Sequence, residues 1–315
     1  MAYSAPTVLF TGGGGVGNEA LYRLLEGPYR CFFGDADPAA IDPVIPVERH
    51  VKLPMANDPG FVAALTDLSI DLGLDLLVPG VDEELPKMAA LAETEGFKAA
   101  ILSPPPDFIL AMLDKAELAK DLKARGHDGP WTKSAGTLGG DDLPCILKPK
   151  SGRGSRAVRR VCSREEAEAH MMLDQAAGPF IAQEALEGVE YTVCMAASAD
   201  GRDVAVVPVR ADVKRGITLR AAIDLNPTVI GACRALHESR PVGGCYNIQG
   251  ILTPDRGFLV FEVNPRVSTT LCLVVASGID PLAAFLGTDP GGFGRRPRLL
   301  SLSRHQKNVF RPFHV

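Results

Sequence analysis

The sequence predicts a parallel α/β domain at the N-terminus followed by an α+β region in two lobes. Three observations lead there. Residues 7–105 alternate short apolar strands with helical stretches, the pattern of a parallel sheet covered by helices. The run Ser103-Pro-Pro-Pro106 then interrupts the chain. From Phe180 onward the pattern becomes strand-rich.

In order, the apolar run Thr7–Thr11 predicts a strand, Gly12–Gly17 a glycine loop and Asn18–Glu26 a helix. Further strands are expected at Arg30–Gly34, Leu74–Pro79 and Ala99–Ser103. Asp107 is placed to cap one continuous helix over Phe108–Arg125. Cys145–Lys150 reads as a strand. So do Phe180–Glu184, Glu190–Ala197, Val204–Val209, Tyr246–Leu252 and Phe258–Asn264, with a helix near Ser268–Ser277. The segment Arg295–Val315 is basic and poorly patterned. There is no internal repeat or low-complexity tract. The expected divisions are 1–106, 107–183, 184–294 and a tail, 295–315.

Composition narrows the class. A chain of 315 residues, 46% hydrophobic, can bury a large core. Its net charge of −5 predicts neither nucleic-acid nor membrane binding. No long apolar span and no leader-like start is present, which predicts a cytoplasmic protein. The seven cysteines are scattered, without a CxxC pair, and read as reduced core residues.

Thr11-Gly-Gly-Gly-Gly-Val-Gly17 follows a strand and opens a helix. Glycines there could admit a pyrophosphate, with Asp35 near the position of a ribose-binding acid. A tight strand-to-helix turn needs glycines without any ligand, so a structural turn is the other reading.

On a helix running from Phe108, with about 100° per residue, Phe108, Met112, Ala119 and Leu122 form one apolar stripe. Lys115 falls in the middle of it, and Asp114, Glu117, Asp121 and Arg125 lie opposite. A buried ammonium needs an anion; a lysine snorkelling at a groove edge is the alternative. Lys148 lies within the apolar strand Cys145–Lys150, directly before Ser151-Gly-Arg-Gly-Ser-Arg156. A lysine beside a flexible basic loop suits phosphate binding, or the loop is a hairpin with incidental charge. No GxxxxGK[ST] occurs.

In Phe258–Asn264, strict alternation puts Leu259, Phe261 and Val263 on one face and Phe258, Val260, Glu262 and Asn264 on the other. Glu262 and Asn264 are then neighbours about 7 Å apart. If Pro254–Gly257 is a four-residue hairpin loop, Thr253 pairs with Phe258 and Gln249 faces Glu262. A loop one residue longer turns Gln249 away. On the first register, Gln249, Glu262 and Asn264 form an all-oxygen cluster suited to magnesium, with Arg266 two residues beyond.

At this point the sequence resembles the ATP-grasp superfamily, nearest to the ATP-binding half of the carbamoyl-phosphate synthase large subunit. The resemblance rests first on Asn247-Ile-Gln249 and Phe261-Glu-Val-Asn-Pro-Arg-Val-Ser268. In the family's order come Val78-Pro-Gly-Val-Asp-Glu-Glu-Leu85, Asp114-Lys115, Ile146-Leu-Lys-Pro149 and Phe180–Val193. It implies a Rossmann-like domain ahead of a two-lobed ATP-grasp domain. It also implies an ADP-forming ligase that uses ATP and two magnesium ions to activate a carboxylate as an acyl phosphate for an amine or ammonia. Lys115 and Lys148 would bind phosphates, with the loop carrying Gly152, Gly154 and Ser155 closing over them. Gln183, Glu184 and Leu186 would line the adenine pocket, and Glu190 would hold the ribose. Gln249, Glu262 and Asn264 would hold magnesium, and Arg266 would stabilise the phosphoryl group. Arg210, Lys214 and Arg215, placed between strands, could hold a substrate carboxylate; Asp82 and Glu83 could hold an amine. Departures are Gln183, the loop arginines Arg153 and Arg156, and Thr269-Thr270, where the synthase branch has arginine then serine. Small-molecule substrates and a homodimer are the implied partners. The alternatives are a synthase-like enzyme acting on bicarbonate and ammonia, an NAD-dependent dehydrogenase, and a non-catalytic nucleotide sensor.

Overall fold

The structure is a computed structural model that describes residues 5–289 and 291–305. Its first sheet contains β1 (Thr7–Thr11), β2 (Arg30–Asp35), β3 (His50–Lys52), β4 (Leu76–Val78) and β5 (Ala100–Ile101). All are parallel, in the order β3-β2-β1-β4-β5. The order reverses between β1 and β4, so the loops leaving these strands diverge to either side of a crevice at their carboxyl ends. Gly80 lets the two loops approach closely, since a Cβ there would lie 2.3 Å from the Thr11 carbonyl oxygen. Helix Phe61–Leu72 and helix Met88–Ala92 cover one face of the sheet.

A second, antiparallel sheet is formed by β6 (Thr132–Ser134), β7 (Cys145–Pro149), β8 (Arg159–Val161) and β9 (Phe180–Glu184), in the order β6-β9-β7-β8. The third holds β10 (Val189–Ala197), β11 (Val204–Arg215), β12 (Ile217–Ile223), β13 (Gly244–Thr253), β14 (Gly257–Asn264) and β15 (Ser301–Ser303). It is antiparallel throughout, in the order β14-β13-β10-β11-β12-β15. Both of its faces are covered, and the side-chain period of two shows it. Tyr191, Val193 and Met195 enter a core with helices Pro106–Leu113, Lys115–Ala124 and Pro227–Ser239. Cys194 and Ala196 enter another, with the parallel sheet and helix Leu271–Ala276.

Five expectations are corrected. The continuous helix over Phe108–Arg125 is two helices, because Asp114 leaves the helical region (φ −102°, ψ 109°) and its carboxylate accepts from the amides of Ala116 and Glu117. Asp107 does not cap the first of them; Pro105 holds that position, and Asp107 pairs with Arg240 at 2.6 Å. Arg210, Lys214 and Arg215 lie within β11 rather than between strands. The tail segment contributes β15, paired with β12; Gln306–Val315 lies outside the described residues.

The β13–β14 hairpin carries the fifth. Its loop is one residue shorter than expected, with Thr253 opposite Gly257 and Leu252 opposite Phe258. Yet Gln249 still faces Glu262, because an irregularity between Gln249 and Gly250 inserts Phe261 as an extra residue on β14. The bulge also changes the parity of the strand. Phe258, Val260 and Val263 all reach one core, instead of Val263 opposing the other two.

Gly250 sits opposite this bulge, and a Cβ there would meet the Leu259 carbonyl oxygen at 2.6 Å and the Phe258 ring at 2.4 Å. Gly250→Ala is expected to destabilise the chain by about 1–3 kcal/mol through overpacking, measured by urea denaturation. A variant as stable as the parent would show that β14 can shift freely at the bulge.

Candidate active site

Two cavities meet at the carboxyl end of β14. The smaller, of about 580 Å³, lies between the four-stranded and six-stranded sheets. Lys115, the first residue of its helix, reaches into it because Asp114 ends the preceding helix and turns the chain. Lys148 reaches it from the middle of β7. Both lysines are buried, 7% and 4% exposed. The Nζ of Lys115 lies 3.1 Å from Glu262 Oε1 and donates to the Gly152 carbonyl oxygen at 3.0 Å. The Nζ of Lys148 donates to the Phe261 carbonyl oxygen at 3.4 Å and lies 5.1 Å from the centroid of the Phe261 ring.

A third lysine belongs to this group. Lys214 Nζ lies 2.5 Å from Glu190 Oε1 and 3.2 Å from Gln249 Oε1. Burial pushes the Lys148 ammonium down to about 8; Glu262 opposes the fall, while Lys115 and Lys214 add to it. Burial pushes the Glu262 carboxyl up, but Lys115, Lys148 and Lys214 outweigh it and hold the group below its usual range. Five cations (Lys115, Lys148, Arg153, Arg156 and Lys214) and four carboxylates (Glu83, Glu184, Glu190 and Glu262) line this cavity, so an anionic ligand is favoured there.

The adenine-pocket candidates Gln183, Glu184 and Leu186 line the far end of the same cavity. Gln183 is fixed by a 2.9 Å bond from Nε2 to Thr132 Oγ1, and Glu184 receives Arg256 at 2.7 Å. Residues 185–187 join β9 to β10 without regular pairing. Gly152 and Ser155 line this cavity, and Gly154 lines the larger one. The metal candidates Gln249, Glu262 and Asn264 all line the larger cavity, and the first two line the smaller as well. They offer two amides and one carboxylate. Among the described residues no group of three or more His, Cys, Asp or Glu could hold a metal ion.

The larger cavity, about 750 Å³, opens onto the switch point of the parallel sheet. Gly12, Gly14 and Gly15 line it, together with Thr269 and Thr270. The Gly14 amide donates to Asp35 Oδ2 at 2.8 Å, so this carboxylate is already engaged by the loop. Arg266 lines the cavity and pairs with Asp82, while Arg153 of the Ser151–Arg156 loop pairs with Glu83 at 3.0 Å. Asp82 and Glu83, the amine candidates, are therefore each bound to an arginine. Arg210 pairs with Asp212 and Asp224, and neither it nor Arg215 lines either cavity. Sequence reasoning set Lys214 apart from the lysine cluster and passed over Glu84. The only signal for Glu84 is its place in the acidic run Asp82-Glu83-Glu84.

Glu84 is 5% exposed, and burial, with Glu83 and Asp35 nearby, raises its carboxyl to about 7 against the Thr11 hydroxyl bond and Arg153. The folded chain therefore binds a proton that the unfolded chain releases above about 4.5. The stabilisation linked to this proton is complete below that value and is lost as pH rises through about 7. Compared with Glu84→Gln, the parent is expected to lose roughly 3 kcal/mol between about pH 4.5 and 8, read by denaturation at each pH. A difference that stays constant would show that the carboxyl is solvated.

Residues 177–294 match the family model described as ATP-grasp in the biosynthetic pathway with Ter operon. No curated protein matches the chain in sequence. Among solved structures, an L-amino acid ligase from Bacillus licheniformis is similar with a TM-score of 0.67 and 18% identity, over 94% of this chain and 78% of that one. A carboxyaminoimidazole ribonucleotide synthase from Aspergillus clavatus, complexed with ATP, gives 0.68 and 16%, over 90% and 76%. A putative ATP-grasp superfamily protein from Archaeoglobus fulgidus gives 0.60 and 16%, over 90% and 88%. At these identities the structural likeness is one of fold, and the ATP-grasp family match covers residues 177–294.

Proposed function

We propose that the chain is an ATP- and magnesium-dependent ligase that activates a carboxylate as an acyl phosphate and passes the acyl group to an amine or ammonia, releasing ADP and phosphate. One observation carries this reading: Lys115 and Lys148, from separate segments, converge with Glu262 on the wall between two cavities. One cavity has the charge for a nucleotide triphosphate, and the other has room for the reacting partners. The L-amino acid ligase and the ATP-bound synthase of similar fold support the same reading.

In this reading Lys115 and Lys148 bind phosphate oxygens, and phosphate in turn keeps Lys148 protonated. Glu184, Leu186 and the unpaired backbone of residues 185–187 receive the base, and Glu190 the ribose. Gln249, Glu262 and Asn264 fit magnesium as hard oxygen donors with a single carboxylate, a set suited to an ion shared with nucleotide phosphates. Magnesium held there would neutralise charge on the phosphate oxygens. A carboxylate approaching a phosphate brings two negative charges together, and unit charges about 4 Å apart repel by roughly 4 kcal/mol at an effective dielectric of 20. Arg266 and Lys148 offset that repulsion and align the groups. The Ser151–Arg156 loop, tied to Glu83 through Arg153, excludes water from the acyl phosphate.

The test uses ATP labelled with heavy oxygen in the β–γ bridge, magnesium and pooled carboxylates without amine. Carboxylate-dependent scrambling of the label, followed by phosphorus NMR, is expected, and subdividing the pool identifies the acid. Glu262→Ala is expected to lower this exchange by about a hundredfold to a thousandfold while the circular dichroism spectrum is unchanged. A folded Glu262→Ala chain with undiminished exchange would remove Glu262 from the site. Absence of ATP binding by the parent would overturn the ligase reading.

A further inference from the structure

Three consecutive acids, Asp82, Glu83 and Glu84, leave β4 at the switch point. The first two are neutralised, Asp82 by Arg266 and Glu83 by Arg153. The third is not. Glu84 is 95% removed from solvent, lines the larger cavity, and among the described residues has no cationic partner. Among the described residues its one side-chain hydrogen bond comes from the Thr11 hydroxyl to Oε2, and Oε1 receives no donor. Thr11 is itself positioned, since its Oγ1 accepts from the Gly80 amide at 3.0 Å. A buried carboxylate without a counter-charge is costly unless a ligand supplies the cation. The cavity that Glu84 faces is also lined by Glu262 and Asn264, assigned above to magnesium, and by Arg266, assigned to the phosphoryl group.

We propose that Glu84 is the acceptor residue of this site: it holds the ammonium of a primary amine in the larger cavity and takes the proton that the nitrogen must lose before it attacks. The inference rests on the ligase reading and adds to it the class of acceptor and the base. One N–H proton of the ammonium passes to the Glu84 carboxylate, freeing the nitrogen lone pair. That pair forms the C–N bond at the acyl carbon. The C–O bond to phosphate breaks, phosphate leaves with the bonding electrons, and a second nitrogen proton leaves with it. Burial raises the basicity of Glu84 most, Glu83 and Asp35 add to the rise, and the Thr11 hydroxyl and Arg153 oppose it. A base that titrates near neutrality suits this transfer.

The experiment compares the full-length parent with Glu84→Gln in three reactions with the pooled carboxylates. These are bridge-oxygen scrambling without amine, hydroxamate formation with hydroxylamine, and ADP release with pooled primary amines. Hydroxylamine is uncharged at neutral pH and needs no base to free its lone pair. Glu84→Gln is expected to keep scrambling and hydroxamate formation within about threefold, and to lose amine-dependent ADP release by about a hundredfold or more. The acid limb of the parent's pH profile for the amine reaction should disappear in the variant. Equal losses with hydroxylamine and amines, or an unchanged amine rate, would overturn the proposal. So would a parent that forms hydroxamate yet releases no extra ADP with any amine. A parent that neither scrambles the label nor binds ATP would instead overturn the ligase reading beneath it. If Glu84→Gln does not fold, Glu84→Asp, which keeps the charge on a shorter arm, should show the same selective loss in smaller measure; an unaltered ratio of amine to hydroxylamine rates would overturn the proposal.

Discussion

The site depends on one half-buried carboxylate. Glu262 lies among Lys115, Lys148 and Lys214, and each needs the other to remain charged away from water. Lys115 comes from the start of a helix, Lys148 from the four-stranded sheet, and Lys214 from the third sheet, so a single negative charge ties three structural units to one point. Breaking such a group by removing one partner leaves buried charge uncompensated, which costs far more than an exposed pair contributes. On the proposed reading, the positive charge of this cavity favours a polyphosphate within it.

The larger cavity follows from a different constraint. In a parallel sheet whose strand order reverses, the loops leaving adjacent strands must separate, and the crevice between them belongs to no single element. Here β1 and β4 form that reversal, and the segment that follows β14 closes the opening through Arg266 and Thr269. Ion pairs Arg266–Asp82 and Arg153–Glu83 cross the same boundary. The parallel domain therefore contributes to the candidate site through its loop ends.

Most strands were legible in the sequence because their apolar residues alternate at a period the sheet imposes; Thr7–Thr11 and Phe180–Glu184 coincide with the strands observed. What escaped has a common cause. Where a strand lines a cavity, polar side chains interrupt the alternation, so β11 looked finished at Val209 although it runs to Arg215. A bulge shifts parity without leaving a mark in the residue types, so the orientation of Val263 was misjudged while Gln249 and Glu262 met through two offsetting changes. Asp114 looks like a surface residue of a long helix until its side chain is seen capping a new one. Candidate residues could be named from their chemistry, but the separation of Glu84 from its two acidic neighbours depends on which arginines reach the turn, and that is a tertiary fact.

Lys214 shows what nucleotide binding entails on this reading. Its ammonium is held by Glu190 and Gln249, the residues assigned to ribose and metal. A nucleotide entering the smaller cavity must exchange these contacts for its own, so its affinity is the difference between two sets of charged interactions. Lys214 also lines the larger cavity, as do Gln249 and Glu262. Any movement of Lys214 that frees Glu190 therefore changes the charge facing the acceptor. In this way occupancy of the nucleotide cavity and the electrostatics of the acceptor cavity are coupled through one side chain, with no need for a change in backbone.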